Sequence, residues 1–395
     1  MTRDQKRPQL ALIGISGYGR VHLQLARECE ERSEVDIVAV TVINPQDETE
    51  NIALLQAHGC RIFSDYREML REFHDRIDLC LIPTGIAWHA RMTIAALEAG
   101  ANVLVEKPLA GSSAEVQAIR AGEKRAGRFV AVGFQDFYEP GTAWLQAELQ
   151  RGVIGGIRSV RFLGLWPRDR AYFVRNDWAG RLQVAGVPVF DSPLNNAFAH
   201  FVMLSLFFSG AETSGPPVAL DGVETFRAHA IESFDTCVVT AHTPQGVRFW
   251  FGTSHACRET VEPEIRITGT GGEACWRYET ETWWRQTDGT TQRRQLLDAQ
   301  GARRAMLTAT LRHLRDASVP ICTAEMAGRH TVLIEAAHRQ SAIVDFPAAS
   351  VHWSGRNGAG SQVPEVPGMA EAMRRAFEAE KSLRACGFPL PVKPA

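Results

Sequence analysis

The chain carries no marked excess of charge: 43 Lys plus Arg stand against 45 Asp plus Glu, a formal net charge of -2. No global field favours DNA, RNA or an anionic membrane, and no nucleic-acid partner is expected. Long apolar runs are missing too. The longest near the start, LALIGI at 10–15, falls far short of the roughly 20 residues that a bilayer requires, so no membrane segment is expected. The eight cysteines include no C-x-x-C pair, and the polar start MTRDQKRPQ is unlike a secretory signal. A disulfide framework is therefore not expected, and the reducing cytoplasm is the expected location. Nor is hydrophobicity low: at 45% hydrophobic and 22% charged residues the chain can fold. Its 395 residues suit two or three domains. Glycine (33) and tryptophan (nine) are plentiful, which points to tight turns in one place and an aromatic surface in another.

The early glycines have a definite setting. An apolar run at Leu10–Ile15 leads into G-I-S-G-Y-G at 14–19 and then R-V-H-L-Q-L-A-R-E, whose apolar positions recur at helical spacing. In such a strand, turn and helix, a first glycine makes the turn, a small residue lets the backbone approach a pyrophosphate, and a third glycine packs the helix close. Gly14, Ser16 and Gly19 occupy these places. Serine replaces the usual second glycine, but it is small and can itself donate to phosphate. A second strand, V-D-I-V-A-V-T-V-I-N, ends near Asn44, where a dinucleotide fold meets the adenosine ribose. An acidic residue there suits NAD and an arginine suits NADP; Asn44 decides neither, and Asp47 nearby reads equally as a turn residue.

Further strands are expected at Ile77–Ile82, at A-N-V-L-V-E-K-P (101–108) and at R-F-V-A-V-G-F-Q (128–135), with helices stopped at Gly100 and Gly127. Lys107 stands at the carboxyl end of its strand, where open α/β sheets place ligands. A lysine there either solubilises the surface or holds a substrate oxygen and moves its proton. Pro108 keeps its backbone out of the helical region.

Four stretches, GISGYGRVH at 14–22, PTGIAWH at 83–89, VLVEKPL at 103–109 and VGFQ at 132–135, make the first domain resemble the Gfo/Idh/MocA oxidoreductases. The resemblance implies an α/β Rossmann-like N-terminal domain and an α+β C-terminal domain with a large, mainly antiparallel open sheet. Residues 1–135 are expected to bind the dinucleotide, 136–347 to form the substrate and oligomerisation domain, and 348–395 a C-terminal extension with one helix. The implied cofactor is NAD or NADP. The cofactor-binding set is Gly14, Ser16, Gly17, Tyr18, Gly19, Arg20, Asn44, Pro83, Thr84, His89, Glu106, Lys107 and Gln135. Lys107 is the family's substrate-side lysine and Glu106 lies near the nicotinamide ribose in relatives. His89, early in a helix, equally suits bonding to nearby backbone.

In many relatives an aspartate is followed four residues later by the histidine that accepts the proton of the alcohol. Asp191 matches the aspartate, but Asn195 stands at the histidine position. Asparagine orients an oxygen and cannot act as a base at neutral pH. The catalytic set implied is Lys107, Asp191 and Asn195. His200 is either a further contributor or a core histidine, since five residues on a helix turn it away from Asn195.

The segment Trp166–Leu182 interleaves two Trp and a Tyr with four Arg. Such a mixture suits sugar faces, hydroxyls or a carboxylate. The substrate-binding candidates are Tyr138, Arg168, Trp178, Arg181, Asn195 and Asn196, with Arg170 beside them. Cys237, His242, His255 and Cys257 lack the tight pair of a zinc site, and no metal is expected. Helices are expected at Ala302–Arg315, at Ala324–Arg339 with Thr323 as N-cap, and at 369–384 in a tail that packs on the sheet or on a partner subunit. The expected function is hydride transfer between nicotinamide and a sugar, polyol or related cyclic hydroxyl compound, in a homodimer or homotetramer. Two alternatives are a same-fold NAD-using lyase or hydrolase and a non-catalytic sugar- or partner-binding protein.

Overall fold

The computed structural model describes residues 6–210, 218–355 and 362–391. The chain divides into two compact units, Met1–Tyr138 with Gln300–Gly328, and Glu139–Ala299 with Arg329–Ala395. The expectation of a first domain contained in 1–135 is thus altered: residues 300–328 return to it from the far end of the chain. Backbone pairing is one reason, since the amide of Val132 donates to the carbonyl of Cys322 at 2.8 Å.

Among the described residues of the first unit, six strands form one parallel sheet: β1 (Gln9–Ile13), β2 (Asp36–Thr41), β3 (Arg61–Phe63), β4 (Leu79–Ile82), β5 (Asn102–Val105) and β6 (Val130–Val132). Their order is β3-β2-β1-β4-β5-β6. All four residues of β4 are buried, as expected for a strand covered on both faces. Helix α1 (Gly19–Glu31) buries Gly19, His22, Leu23, Ala26 and Cys29, the spacing of one helical face. Helices α2 (Thr49–Ala57), α3 (Tyr66–Glu72), α4 (Ile86–Glu98) and α5 (Ser113–Ala126) complete the alternation. Gly127 ends α5 in the left-handed conformation, φ 60°. The strand order reverses at β1 and β4, the crevice where such sheets bind ligands.

In the second unit, α6 (Pro140–Gln150) precedes β7 (Ile157–Leu165), a short helix α7 (Arg170–Val174), the hairpin β8 (Gln183–Val184) and β9 (Val187–Pro188), and α8 (Ala199–Ser209). Then come β10 (Ala219–Arg227), β11 (Thr236–His242), β12 (Arg248–Ser254), β13 (Val261–Gly269), β14 (Gly272–Arg277), β15 (Glu281–Gln286) and β16 (Thr291–Gln295). Helix α9 (Ala299–His313) lies almost wholly in the segment returned to the first unit. Helix α10 (Ala324–Gln340) starts after Thr323, whose hydroxyl accepts from the amide of Met326 at 3.2 Å, the expected cap. With β17 (Val344–Asp345) the strands form an open sheet in the order β16-β15-β14-β13-β7-β12-β11-β10-β17. Pairing is antiparallel except at β12–β7 and β10–β17, so the large, mainly antiparallel sheet is present. Strand β10 ends at Arg227. Asp235 takes the amides of Ala228 and His229, both at 2.8 Å, and folds those residues into a turn.

One face of this sheet is covered by the tail. Hairpin β18 (His352–Gly355) and β19 (Gln362–Glu365) leads to α11 (Met369–Ala379), shorter than the expected 369–384. Met369, Met373 and Phe377 share a buried cluster with Leu163, Leu165, Val238 and Trp250. Around it Glu378 pairs with Arg266 at 2.8 Å, and Glu380 meets Arg248 at 3.1 Å and the hydroxyl of Ser159 at 2.8 Å. The tail therefore packs back on its own sheet. On the opposite face, Phe162 meets Phe198 and Phe201 of the α8 segment, with ring centroids 5.8 and 5.5 Å apart.

Candidate functional site

The first unit gathers the expected cofactor residues at the carboxyl ends of its strands. Gly14 has φ 94°, which a side chain rarely adopts, and a Cβ at Gly19 would lie 2.7 Å from the Gly14 carbonyl oxygen. Pro83 and Thr84, just after β4, close the same turn: each has an atom 3.6 Å from where a Cβ on Gly19 or Gly14 would stand. The amides of Gly19, Arg20 and Val21 are bonded to the carbonyls of Ser16, Gly17 and Tyr18. Those of Ser16, Gly17 and Tyr18 have no acceptor among the described residues. Open amides ahead of a helix fit a pyrophosphate, and a Cβ-free approach at Gly19 fits it also.

Side chains around this turn are tied to one another. The Ser16 hydroxyl donates to Asn44 Oδ1 at 2.9 Å, and Asn44 Nδ2 donates to Asp47 at 2.9 Å. Arg20 donates to the buried Glu48 at 2.9 Å and to the carbonyl of Asp47 at 3.2 Å. At the end of β5, Glu106 is buried; it faces His22 Nε2 at 2.8 Å and accepts from the amide of Lys107 at 3.1 Å. Gly133 leaves room for it, because a Cβ there would sit 2.8 Å from Glu106 Oε1. Lys107 follows, half-buried, joined to Pro108 by a cis peptide.

His89 is fully buried, with Nδ1 2.7 Å from the carbonyl of Pro108 and Nε2 2.9 Å from that of Thr84. Burial pushes its pKa below the ordinary value, against the pull of the two carbonyls. His89 is thus a strut between the Thr84 and Lys107–Pro108 loops, and both of its nitrogens face backbone. Tyr138, expected at a substrate, also lies in the interior: its hydroxyl donates to the carbonyl of Val132 and accepts from the amide of Cys322, both at 3.1 Å. It fastens the returned segment onto β6. Gln135 is buried near Tyr18, with Oε1 and the phenol oxygen 3.5 Å apart.

Sequence reasoning missed Arg303. Carried by α9, its Nε donates to the Tyr18 hydroxyl and to Gln135 Oε1, both at 3.2 Å, so a guanidinium stands beside the glycine turn. No local signal marks it, because 285 residues separate it from Tyr18.

In the second unit Asp191 is buried and accepts from the amide of Gly180 at 2.5 Å, which ties the β8–β9 region to the segment before it. Asn195 is also buried; its Nδ2 donates to the carbonyls of Val189 and Phe190 at 2.9 and 3.3 Å, while Oδ1 has no partner among the described residues. The Asn195 amide is thus half spent on holding the chain before Asp191. Asn196 Nδ2 donates to the Tyr172 hydroxyl at 3.2 Å. His200 sits one residue inside α8, half-buried.

Tyr172 brings the arginines together. The guanidinium carbons of Arg175 and Arg168 lie 3.6 and 4.7 Å from its ring centroid; Arg168 is also 5.6 Å from the Trp166 ring and Arg175 5.3 Å from Trp178. Burial and the Asp191 carboxylate raise the Tyr172 pKa, and the two arginines oppose them. The backbone of Arg168 is held from beneath: its amide donates to the carbonyl of His255, and its carbonyl faces His229 Nε2 at 3.1 Å. His229 Nδ1 lies 2.7 Å from Asp235. Burial would raise the Asp235 pKa, but the bonds from His229 hold it below the ordinary value. Burial, with the Arg168 charge, pushes His255 down to about 3. Arg181 departs from expectation: it pairs with Glu232 at 2.8 Å on the surface, and Arg170 stacks on Trp353 at 4.3 Å.

Comparison with known proteins bears on the first domain and on the fold. Residues 9–134 match the family described as oxidoreductase, NAD-binding Rossmann fold (Gfo/Idh/MocA). Over 155 residues the chain is 31% identical to inositol 2-dehydrogenase of Klebsiella pneumoniae, and over 154 residues 30% identical to inositol 2-dehydrogenase/D-chiro-inositol 3-dehydrogenase of Shouchella clausii. Each match takes 39% of this chain and less than half of the relative, 44% and 43%. Across both units the fold is similar to KijD10, a 3-ketoreductase from Actinomadura kijaniata solved with NADP and TDP-benzene (TM-score 0.67, 18% identity, 87% of this chain and 100% of that one). It is likewise similar to the WlbA dehydrogenase from Bordetella pertussis solved with NADH and UDP-GlcNAcA (0.68, 20%, 85% and 96%). Residues 9–134 are thus similar to the NAD-binding Rossmann domain of the Gfo/Idh/MocA oxidoreductases, and the chain spans less than half the length of the curated relatives it matches.

Proposed function

We propose that the protein is an NAD(P)-dependent dehydrogenase or reductase that transfers a hydride between nicotinamide and a carbon of a sugar, polyol or related cyclic hydroxyl compound. The observation that carries this reading is Lys107 at the end of β5, beside a buried Glu106 and on the same sheet edge as the open amides of Ser16, Gly17 and Tyr18. The nicotinamide supplies the hydride chemistry. Lys107 holds the substrate oxygen and moves its proton, a task that a neutral amide such as Asn195 cannot perform. Asp191 orients substrate, and Asn195 fixes the chain that carries Asp191. Asp47 beside Asn44, and Arg20 committed to Glu48, favour NAD over NADP. A small-molecule substrate, a cytoplasmic location and a homodimer or homotetramer belong to the same proposal. No helix among the described residues is long and apolar enough to cross a membrane.

The test is NADH formation by the purified protein over a sugar and polyol panel, with Lys107→Ala beside the wild type. The expected result is turnover that the variant loses while it still binds NADH. The absence of histidine at 195 favours one second reading, in which NAD serves a lyase or hydrolase without net redox change. Product without accumulated NADH would establish it.

A further inference from the structure

We propose that the substrate carries an anionic group, a carboxylate or a phosphate, and that Arg168 and Arg175 within the Trp166–Trp178 segment bind it. This rests on the reading of the chain as a carbohydrate oxidoreductase and narrows it. The guanidinium carbons of Arg168 and Arg175 lie over the same Tyr172 ring, at 4.7 and 3.6 Å from its centroid, and guanidinium N–H groups match an oxyanion in pairs. Arg168 makes no side-chain hydrogen bond and no ion pair among the described residues, and its Nε is buried without a partner. Arg175 spends one N–H on the carbonyl of Tyr172 and has no ion pair either. By contrast Arg181, Arg227, Arg248 and Arg266 of the same unit are each neutralised by a carboxylate.

The nearby acids do not cancel the pair. Asp191 acts on Tyr172, but it is one carboxylate against two guanidiniums and its Oδ2 is bound to Gly180. Asp169 caps α7 through the amide of Tyr172. The cost of holding Arg168 without a counter-charge is accompanied by rigid support: two buried histidines, one of them backed by Asp235, fix its backbone. A neutral polyol would leave this charge unmatched, whereas an oxyanion would complete it.

The test uses the holoprotein saturated with NADH, and glucuronate, glucose 6-phosphate, inorganic phosphate, glucose and myo-inositol as probes, read by thermal shift and calorimetry. At least one anionic probe is expected to bind about tenfold or more tightly than glucose, to weaken with added salt, and to lose that advantage in Arg168→Gln and Arg175→Gln. Arg168→Lys restores part of it, which separates a charge contact from a folding defect, and unchanged NADH affinity and melting temperature certify the variants. Preference for glucuronate identifies a carboxylate and preference for glucose 6-phosphate a phosphate. Equal or better binding of glucose or myo-inositol, no binding of any anionic probe, or no effect of the glutamine variants overturns the proposal. NADH formation from a neutral polyol would overturn it while leaving the dehydrogenase reading intact, and failure to bind NADH would sink that reading instead.

Discussion

The glycine turn of the first unit and the Trp166–Trp178 segment of the second are built on opposite plans. At the turn the polar side chains satisfy one another, Ser16 with Asn44, Asn44 with Asp47 and Arg20 with Glu48, and main-chain amides are left open. In the second segment the main chain is satisfied, with Arg168 pinned by His229 and His255, and charged side chains are left open. Recognition by backbone tolerates exchange of side chains but no added Cβ; recognition by side chain tolerates backbone neighbours but no loss of charge. The two sites should therefore fail in different ways under mutation.

The largest effect expected is on the step that neither plan performs alone. Lys107→Ala should lower kcat by about 10²- to 10⁴-fold, with NADH affinity nearly unchanged; equal loss of NADH binding would mean that Lys107 holds the cofactor rather than the substrate. Next, Gly19→Ala should abolish detectable NADH binding, because the clash is with backbone and nothing flexible can yield. A calorimetric titration in which this variant binds normally would break the backbone half of the comparison. Outside both sites, Phe377→Ala should cost about 3 to 5 kcal/mol in urea unfolding, since that buried ring of α11 packs against Trp250 with centroids 5.7 Å apart.

Two histidines of the second unit give stability a pH dependence. His255 and His338 are neutral in the fold, with pKa values of about 3 and about 4. Their folded pKa values lie below the unfolded value of about 6.5, so the unfolded state takes up protons first. Stability should be level above about pH 6.5, fall as the pH drops below it, and level off for these groups near their folded values. His255→Gln should reduce the slope, and an unchanged slope would show that the ring takes up its proton in the fold as readily as in the unfolded chain. Smaller still, Arg303→Ala should weaken NADH binding about tenfold by removing one charge-assisted contact, and Arg181→Ala should change stability by less than about 1 kcal/mol, as for other exposed pairs.

Much of the first unit was legible because its chemistry is local. Gly14, Gly19, Pro83, Thr84, Glu106 and Lys107 each lie within a short motif, and strand ends brought them together as the pattern implied. For His89 both readings stayed open in the sequence, and Tyr138 was placed at a substrate, because a polar ring near a site reads the same whether it faces a ligand or backbone. Arg303 was hidden by chain distance, and its helix was foreseen without its return to the first sheet. In the second unit the arginine-rich segment was visible as composition. Which arginines are neutralised was not, since Glu232 lies 51 residues from Arg181 and no periodicity connects them.

The tail has a consequence for synthesis. The sheet face that α11 covers is made of strands complete by Ser254, Val261–Gly269 included soon after, yet its cover begins only at Met369. At about 5 to 20 residues per second on a ribosome, Leu163, Val238 and Trp250 wait several seconds in water for Met373 and Phe377. A nascent chain stalled before α11 presents a bare apolar face flanked by Arg161 and Arg248, whose partners Glu378 and Glu380 have yet to be translated.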